Sequence, residues 1–412
     1  MDRRSGGGGS HPGRLAFVPP RYGSGVVGGS EAVSREAAIG LARRGWDVEV
    51  LTTCAVDHYT WENALAEGPT EEDGLVVRRF PTVRDHAYAA HVANGLIVKD
   101  EFPTFDAQVS WLGAAFRVPD LFHHLVRHGD EFDAVVFSPY LFWPTLVGIR
   151  AVPERAIVMP CLHDEHYARL DVVRHVLADP ASVWFLSEPE HELAHSLGPV
   201  AARHTVTGAG MHIPAGYDPE GFRRRHGITR PFVLYAGRRE SGKGWDWLVE
   251  AYASALRHDA VDLDLVTIGV GKVEPPPSIA DRVIDLGFVS TAERDDAFAA
   301  AAACVQPSVM ESFSRSLMES WLAGTPVIAR ADGEVVAWHC RRSGGGLLFS
   351  DVDELAKGLR TIAEAPDEAR AMARRGRDYV LAEYAWDVVL DRMEADIAAL
   401  RERAPARRAG RP

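Results

Sequence analysis

Short apolar runs alternate with amphipathic stretches along almost the whole chain, in two successive series. In the first series strand-like runs fall at 14–20, 47–53, 75–81, 134–140, 156–163, 182–187 and 204–209. Helical patterns fall at about 30–45, 106–128, 143–151, 168–178 and 188–197. The section 84–105 breaks the pattern and reads as an irregular excursion with a short helix. The second series has strands at 232–238, 263–269, 282–289, 304–308, 326–330 and 345–349, with helices at about 243–258, 291–302, 313–323 and 351–364. Two such halves imply an α/β chain with two doubly wound parallel sheets. Two further helices, about 366–383 and 387–403, have no strand after them.

The stretch GAGMHIPAGYDPEGFRRRHGITRP between the series carries Gly, Pro and a charge run and reads as a hinge. The expected division is a flexible leader at 1–13, a first domain at 14–208, a hinge at 209–231, a second domain at 232–385, a last helix at 386–403 and a disordered tail at 404–412. A pair of such domains normally holds its ligand between them.

Composition narrows the partners. The net charge of −13 argues against nucleic acid. The basic RERAPARRAGRP would suit a weak tether to a membrane surface, or is simply a tail. Cys54, Cys161, Cys304 and Cys340 show no C-x-x-C spacing and read as reduced thiols of a cytosolic protein. No run of about 18 apolar residues is present, so no transmembrane helix is expected. MDRRSGGGGSHPGR lacks the apolar core of a signal peptide. Lysine occurs only at Lys99, Lys243, Lys272 and Lys357, so a lysine in a motif position carries extra weight.

PSVMESFSRSLMESWLAGTPVIAR, residues 307–330, places Glu311 before a predicted helix and Glu319 inside it. A helix start presents free N–H groups and partial positive charge, which suits an anion; flanking carboxylates suit hydroxyls. The plain alternative is a surface helix with solvated acids. Leu317, Met318, Trp321 and Leu322 share its apolar face, and Glu319 falls towards the polar edge. FVLYAGRRESGKG sets Arg238, Arg239 and Lys243 at a strand end, where parallel sheets bind ligands and where cations would neutralise a leaving diphosphate.

Gly23, Gly25 and Gly28 form a formal G-x-G-x-x-G, which leaves open an NAD(P)-dependent oxidoreductase using the GSGVVG loop. Against it, Pro19, Pro20, Arg21 and Tyr22 separate strand from glycine, and the next strand ends at Thr52 and Thr53 where an acid should hold the ribose. Gly28 and Gly29 still open a helix, with Ser30 as the expected N-cap, so their backbone can approach an anion. In MPCLHDEHYARL, His163, Asp164, Glu165 and His166 alternate faces, which favours a single His163 aimed at the ligand over a metal set, with plain hydrogen bonding near a strand end as the competing reading. Trp338 and His339 are open between core and ligand.

Together these segments resemble retaining glycosyltransferases of family four, which have the GT-B fold. GGSE at 28–31 is similar to the family's GG-x-E helix start, GRRESGKG at 237–244 to its G-R…K-G loop, and ESFSRSLME at 311–319 to its E-x7-E pattern. HDE followed by WHC-x-x-SGGG resembles an actinobacterial-type subgroup. The resemblance implies two Rossmann-like domains facing a cleft, with the C-terminal helix crossing back to the first. It implies that Arg238 and Lys243 hold the donor diphosphate, Glu311 the sugar hydroxyls with backbone N–H groups near Phe313 and Ser314, and Glu319 the ribose. Gly28 and Gly29 would approach the phosphate, and His163 the donor sugar and acceptor hydroxyl. The partners implied are a UDP- or GDP-sugar donor and a glycan, lipid-linked or small-molecule hydroxyl, with no cofactor and no metal, in the cytoplasm or peripheral at the inner membrane face. A catalytically silent nucleotide-sugar-binding homologue is the other alternative. One departure stands out: the family's glycine after the aromatic is Ser314 here.

Overall fold

The computed structural model describes residues 12–26, 28–84, 87–99, 103–259 and 262–402. The expected tail at 404–412, and the leader apart from residues 12 and 13, lie outside them. The chain forms two units. The first comprises residues up to Leu186, His191–Thr207 and Leu390 onward; the second comprises Ser187–Glu190 and Gly208–Val389.

The first unit carries β1 (Arg14–Val18), β2 (Asp47–Thr53), β3 (Gly68–Glu72), β4 (Leu75–Phe80), β5 (Ala134–Phe137), β6 (Ala156–Val158), β7 (Ser182–Phe185) and β8 (His204–Val206). They pair in the order β3-β4-β2-β1-β5-β6-β7-β8. All pairings are parallel except β3 on β4. β1 and β5 are buried at nearly every position, as strands covered by helices on both faces must be. β3 was not expected. Its GPTEE sequence has no apolar alternation, and it forms as an edge by pairing with β4. The single helix expected at 106–128 is two, Phe105–Ala115 and Pro119–His128. Pro119 occupies the first helical turn of the second, and a proline disfavours helix in the residue before it.

The last helix, Trp386–Arg401, joins the first unit from Leu390 on. Asp396 accepts from Trp184 Nε1 at 2.8 Å and from Arg203 at 3.0 Å. Glu394 accepts from Trp46 Nε1 at 2.7 Å. Two indole N–H groups that would otherwise be costly to bury are thus satisfied by this helix.

The second unit carries β9 (Phe232–Ala236), β10 (Asp264–Ile268), β11 (Val283–Asp285), β12 (Ala303–Gln306), β13 (Val327–Arg330) and β14 (Gly346–Phe349), in the order β11-β10-β9-β12-β13-β14. Every pairing is parallel. The helix Arg315–Leu322 buries Trp321 completely, and its Nε1 donates to Gly345 O at 2.8 Å. Gly376 is glycine because a Cβ there would lie 2.4 Å from that indole. The stretch expected as a hinge contains a helix, Pro219–His226, capped by Asp218 accepting from Gly221 N at 2.9 Å and closed by Gly227 at φ 64°.

Candidate functional site

Parallel sheets bind ligands beyond their strand C-termini, at the point where strand order reverses. In the second unit that point lies between β9 and β12. The loops leaving these strands run through 237–244 and 307–314, so topology alone brings the G-R…K-G loop beside the E-x7-E segment. Lys243 Nζ lies 2.9 Å from Glu311 Oε1 and donates to Met310 O at 3.0 Å. The loop can approach this closely because of Gly244. Its φ is +73°, and a Cβ would lie 2.4 Å from Pro307 O.

The two arginines of the loop separate. Arg238 is half-exposed, donates to Glu240 at 3.1 Å, and has its carbonyl fixed by Tyr235 OH at 2.6 Å. Arg239 is buried. It pairs with Asp285, donates to Thr267 Oγ1 at 3.2 Å and to Gly269 O, and thereby ties β9 to its sheet neighbours. Of the three expected cations, Arg239 is therefore a sheet clamp, and Arg238 and Lys243 stay at the loop surface. Burial, with the Glu311 charge beside it, pushes the Tyr235 phenol well above its ordinary range.

Ser314 opens the helix Arg315–Leu322 with φ 68° and ψ 75°, and its own side chain makes no capping hydrogen bond. This is the left-handed conformation a glycine would adopt freely; a residue with a Cβ gives up about 1 kcal/mol there. Its hydroxyl accepts from Gln306 Nε2 at 2.8 Å, which anchors the turn to β12. Phe313 is buried, edge-on to His339 at 5.5 Å and to Tyr384 at 4.9 Å.

Glu319 corrects the helical-wheel reading. Its side chain is only 11 % exposed and lies 3.0 Å from Arg294 Nη2. It is not a solvated acid. Beside it are two groups that the sequence did not single out. Tyr217 OH and Arg294 Nε are shielded from solvent without a hydrogen-bond partner among the described residues. Burial raises the Tyr217 phenol, with the Glu319 and Asp295 charges adding to the effect. Neither residue sits in a motif, and no spacing pointed to them.

His339 belongs to the core. It is fully buried, and Nδ1 lies 2.9 Å from Tyr379 OH. Burial holds its pKa down to about 3. Between pH 6.5 and 3 the unfolded chain binds a proton that the folded chain refuses, so stability falls as pH falls. From pH 7 to pH 5 this should remove about 2 kcal/mol. Urea unfolding of wild type and His339→Gln should therefore differ by about 2 kcal/mol less at pH 5 than at pH 7.

In the first unit the strand order reverses between β1 and β5, and the helix Gly29–Arg43 starts after β1. Gly28, not Ser30, holds the cap position, with extended backbone at φ 174°. The Ser30 hydroxyl instead donates to Glu31 Oε2 at 2.8 Å. Glu31 is buried against Arg21, whose Nε donates to it at 3.1 Å and whose Nη1 donates to Val56 O at 2.9 Å. A Cβ on Gly28 would lie 2.2 Å from Glu31 Oε2, whereas at Gly29 the space is open. Earlier in the loop, Ser24 N donates to Glu72 Oε1 at 3.2 Å, so a carboxylate already sits where a dinucleotide pyrophosphate would bind.

His163 lies beyond β6, with Nδ1 4.0 Å from Glu165 Oε1. Glu165 in turn accepts from Tyr140 OH at 2.8 Å. Asp164 pairs with Arg169. Among the described residues His163, Asp164, Glu165 and His166 do not converge as a metal-ligand group.

Residues 230–365 match the model of the family described as glycosyl transferases group 1. An MMP alpha-(1->4)-mannosyltransferase from Mycolicibacterium hassiacum is 30% identical over 210 residues, 47% of this chain and 48% of that protein. The chain thus spans about half the length of that relative. A D-inositol 3-phosphate glycosyltransferase from Kineococcus radiotolerans is 29% identical over 396 residues, covering 86% of each chain. Among solved structures, sucrose-phosphate synthase from Thermosynechococcus elongatus aligns with a TM-score of 0.70 at 19% identity, over 95% of this chain and 100% of that one. Anabaena HepE in complex with UDP and glucose aligns with a TM-score of 0.67 at 17% identity, over 94% of this chain and 100% of that one.

Proposed function

We propose that this chain is a glycosyltransferase of family four with the GT-B fold and moves a hexosyl group from a UDP- or GDP-sugar to an acceptor hydroxyl with retained anomeric configuration. The observation that carries the reading is the Lys243–Glu311 pair at 2.9 Å, set at the sheet's switch point beside the helix start at Ser314. A cation next to the N–H groups of a helix start suits a diphosphate, and an adjacent carboxylate suits sugar hydroxyls. The NAD(P) reading is not favoured, because Glu72 occupies the loop it needs.

In the proposed reaction the bond from the anomeric carbon to the β-phosphate oxygen breaks. The acceptor oxygen bonds to that carbon from the same face, and its proton passes to the leaving phosphate. Lys243 and Arg238 neutralise the charge that builds on the diphosphate, so no metal is needed there. Glu311 orients the sugar, and Glu319, held by Arg294, receives the ribose. The proposal keeps Gly28 and Gly29 for the phosphate, and gives His163 an orienting role at the acceptor hydroxyl.

Relatives named as GDP-mannose-dependent and a fold neighbour determined with UDP-glucose support a nucleotide sugar, and both bases remain candidates. Relatives whose names specify phosphatidylinositol mannosides fit a lipid-linked acceptor at a membrane face. Among the described residues no helix is long and apolar enough to cross a membrane. Thermal unfolding with UDP, GDP and NAD tests the class. UDP or GDP at about a hundred times its Kd should add about 2.7 kcal/mol of stability. Stabilisation by NAD alone would overturn the reading. A screen of UDP- and GDP-sugars for hydrolysis then identifies the donor.

A further inference from the structure

Among the described residues outside the donor site, one cluster of metal-ligating side chains stands apart. His191 and His195 lie on the helix Glu188–Leu197, and His204 opens β8. All three belong to the first unit, within the segment His191–Thr207. One ring nitrogen from each lies within 4.8 Å of the others. The ring centroids are 4.6 Å apart for His191 and His195, 4.9 Å for His191 and His204, and 5.3 Å for His195 and His204. We propose that His191, His195 and His204 form a binding site for a borderline divalent transition metal ion, of which zinc is the type, clamping edge strand β8 to the helix beside it.

The sequence reason is the run His191-Glu192-Leu193-Ala194-His195. Histidines four apart on a helix project from one face, which is the ligand spacing of helical zinc sites. That spacing alone is weak. His204 adds an independent ligand from a different element, delivered by the register of β8 on β7 that pairs it with Val183. Its Nδ1 donates to Ala201 O at 3.1 Å, which fixes the ring and leaves Nε2 with its lone pair for a metal. Metal-bound histidines characteristically hold their second nitrogen in this way. Phe185 walls one side, with its ring centroid 5.2 Å from His191 and 6.2 Å from His204.

Three imidazoles and no thiolate select zinc, cobalt, nickel or copper over magnesium or calcium. Tetrahedral zinc at its usual nitrogen distance needs ligand atoms about 3.3 Å apart. The present spread, up to 4.8 Å, exceeds that, so metal binding would draw the three rings together, with exposed His195 the least constrained of them by packing. Three protein ligands leave a fourth position for water. β8 ends the sheet, so it has a strand on one side only. A metal bond to His204 would give this edge a second attachment.

Titration calorimetry of the full chain, stripped with chelator and titrated with zinc chloride, tests the site. Wild type should bind about one equivalent with Kd at or below about 1 μM, and zinc should raise its Tm. His195→Gln and His204→Ala should each weaken binding about thirtyfold or more. His195 is exposed, so His195→Gln should fold normally even if His204→Ala does not. His166→Ala should bind as wild type does. No binding at 100 μM zinc (about a hundred times the expected Kd), or unchanged binding in His195→Gln, would overturn the site. Loss of binding in His166→Ala alone would also do so, because it would put the metal elsewhere.

Discussion

Lys243→Ala is expected to lower kcat/KM for the nucleotide sugar about a thousandfold, or ~4 kcal/mol, while the second unit stays folded. The ammonium bridges Glu311 and Met310 O at the strand ends and packs no core. The pair is 23 % and 14 % exposed, so its loss should cost about 1–3 kcal/mol and leave the second unit folded. The substitution should remove the stabilisation that UDP or GDP confers. Lys243→Arg should recover little, because a planar fork does not replace a compact ammonium bonded at once to a carbonyl and a carboxylate.

Glu311→Gln separates the two ends of the donor. It frees Lys243 from its apo partner, so nucleoside diphosphate affinity should hold or rise. Turnover of the nucleotide sugar should fall, because the group assigned to the sugar hydroxyls has lost its charge. Isothermal titration with UDP and GDP, alongside steady-state rates, reads both. Unchanged nucleotide affinity in Lys243→Ala would refute the assignment of the diphosphate to this loop.

The alternation of strands and helices is legible because most parallel strands centre on a short apolar run between turn residues, and the structure keeps the expected order. What the sequence could not separate were residues whose roles depend on partners far along the chain. Arg238 and Arg239 are neighbours in one loop, and only Asp285, on β11, makes the second a buried clamp. Glu319 looks solvated on its own helix, and only Arg294, on Thr291–Ala300, shows that it is not. β3 was missed because an antiparallel edge strand need not alternate. The helix Pro219–His226 did carry its signals, Asp218 before Pro219 and Gly227 after His226, but the run Arg223–Arg225 read as a linker. Ser314 departs from a glycine position, and its positive φ gives the physical reason a glycine is used there.

Breaking the Arg21–Glu31 pair is expected to destabilise the first unit by about 3–5 kcal/mol. Both side chains are nearly closed to solvent, at 7 % and 8 % exposure. Glu31→Gln leaves a buried guanidinium without its counter-charge. The double variant Arg21→Met/Glu31→Leu removes both charges and should regain most of the loss, because the cost lies in the unpaired charge. The same pair accounts for the glycine before it. A Cβ at Gly28 would meet Glu31 Oε2 at 2.2 Å, and its three nearest atoms all belong to Glu31. Gly28→Ala should therefore destabilise wild type by about 1–3 kcal/mol and cost much less in a Glu31→Ala background. A double-mutant cycle by urea unfolding measures this coupling. Additive effects would mean that Gly28 is not demanded by Glu31. A coupling above about 1 kcal/mol would show that the GGSE sequence is first a packing solution, in which the acid anchors the helix start and the glycine makes room for it. Any phosphate contact by Gly28 and Gly29 would then use backbone that this pair already holds in place.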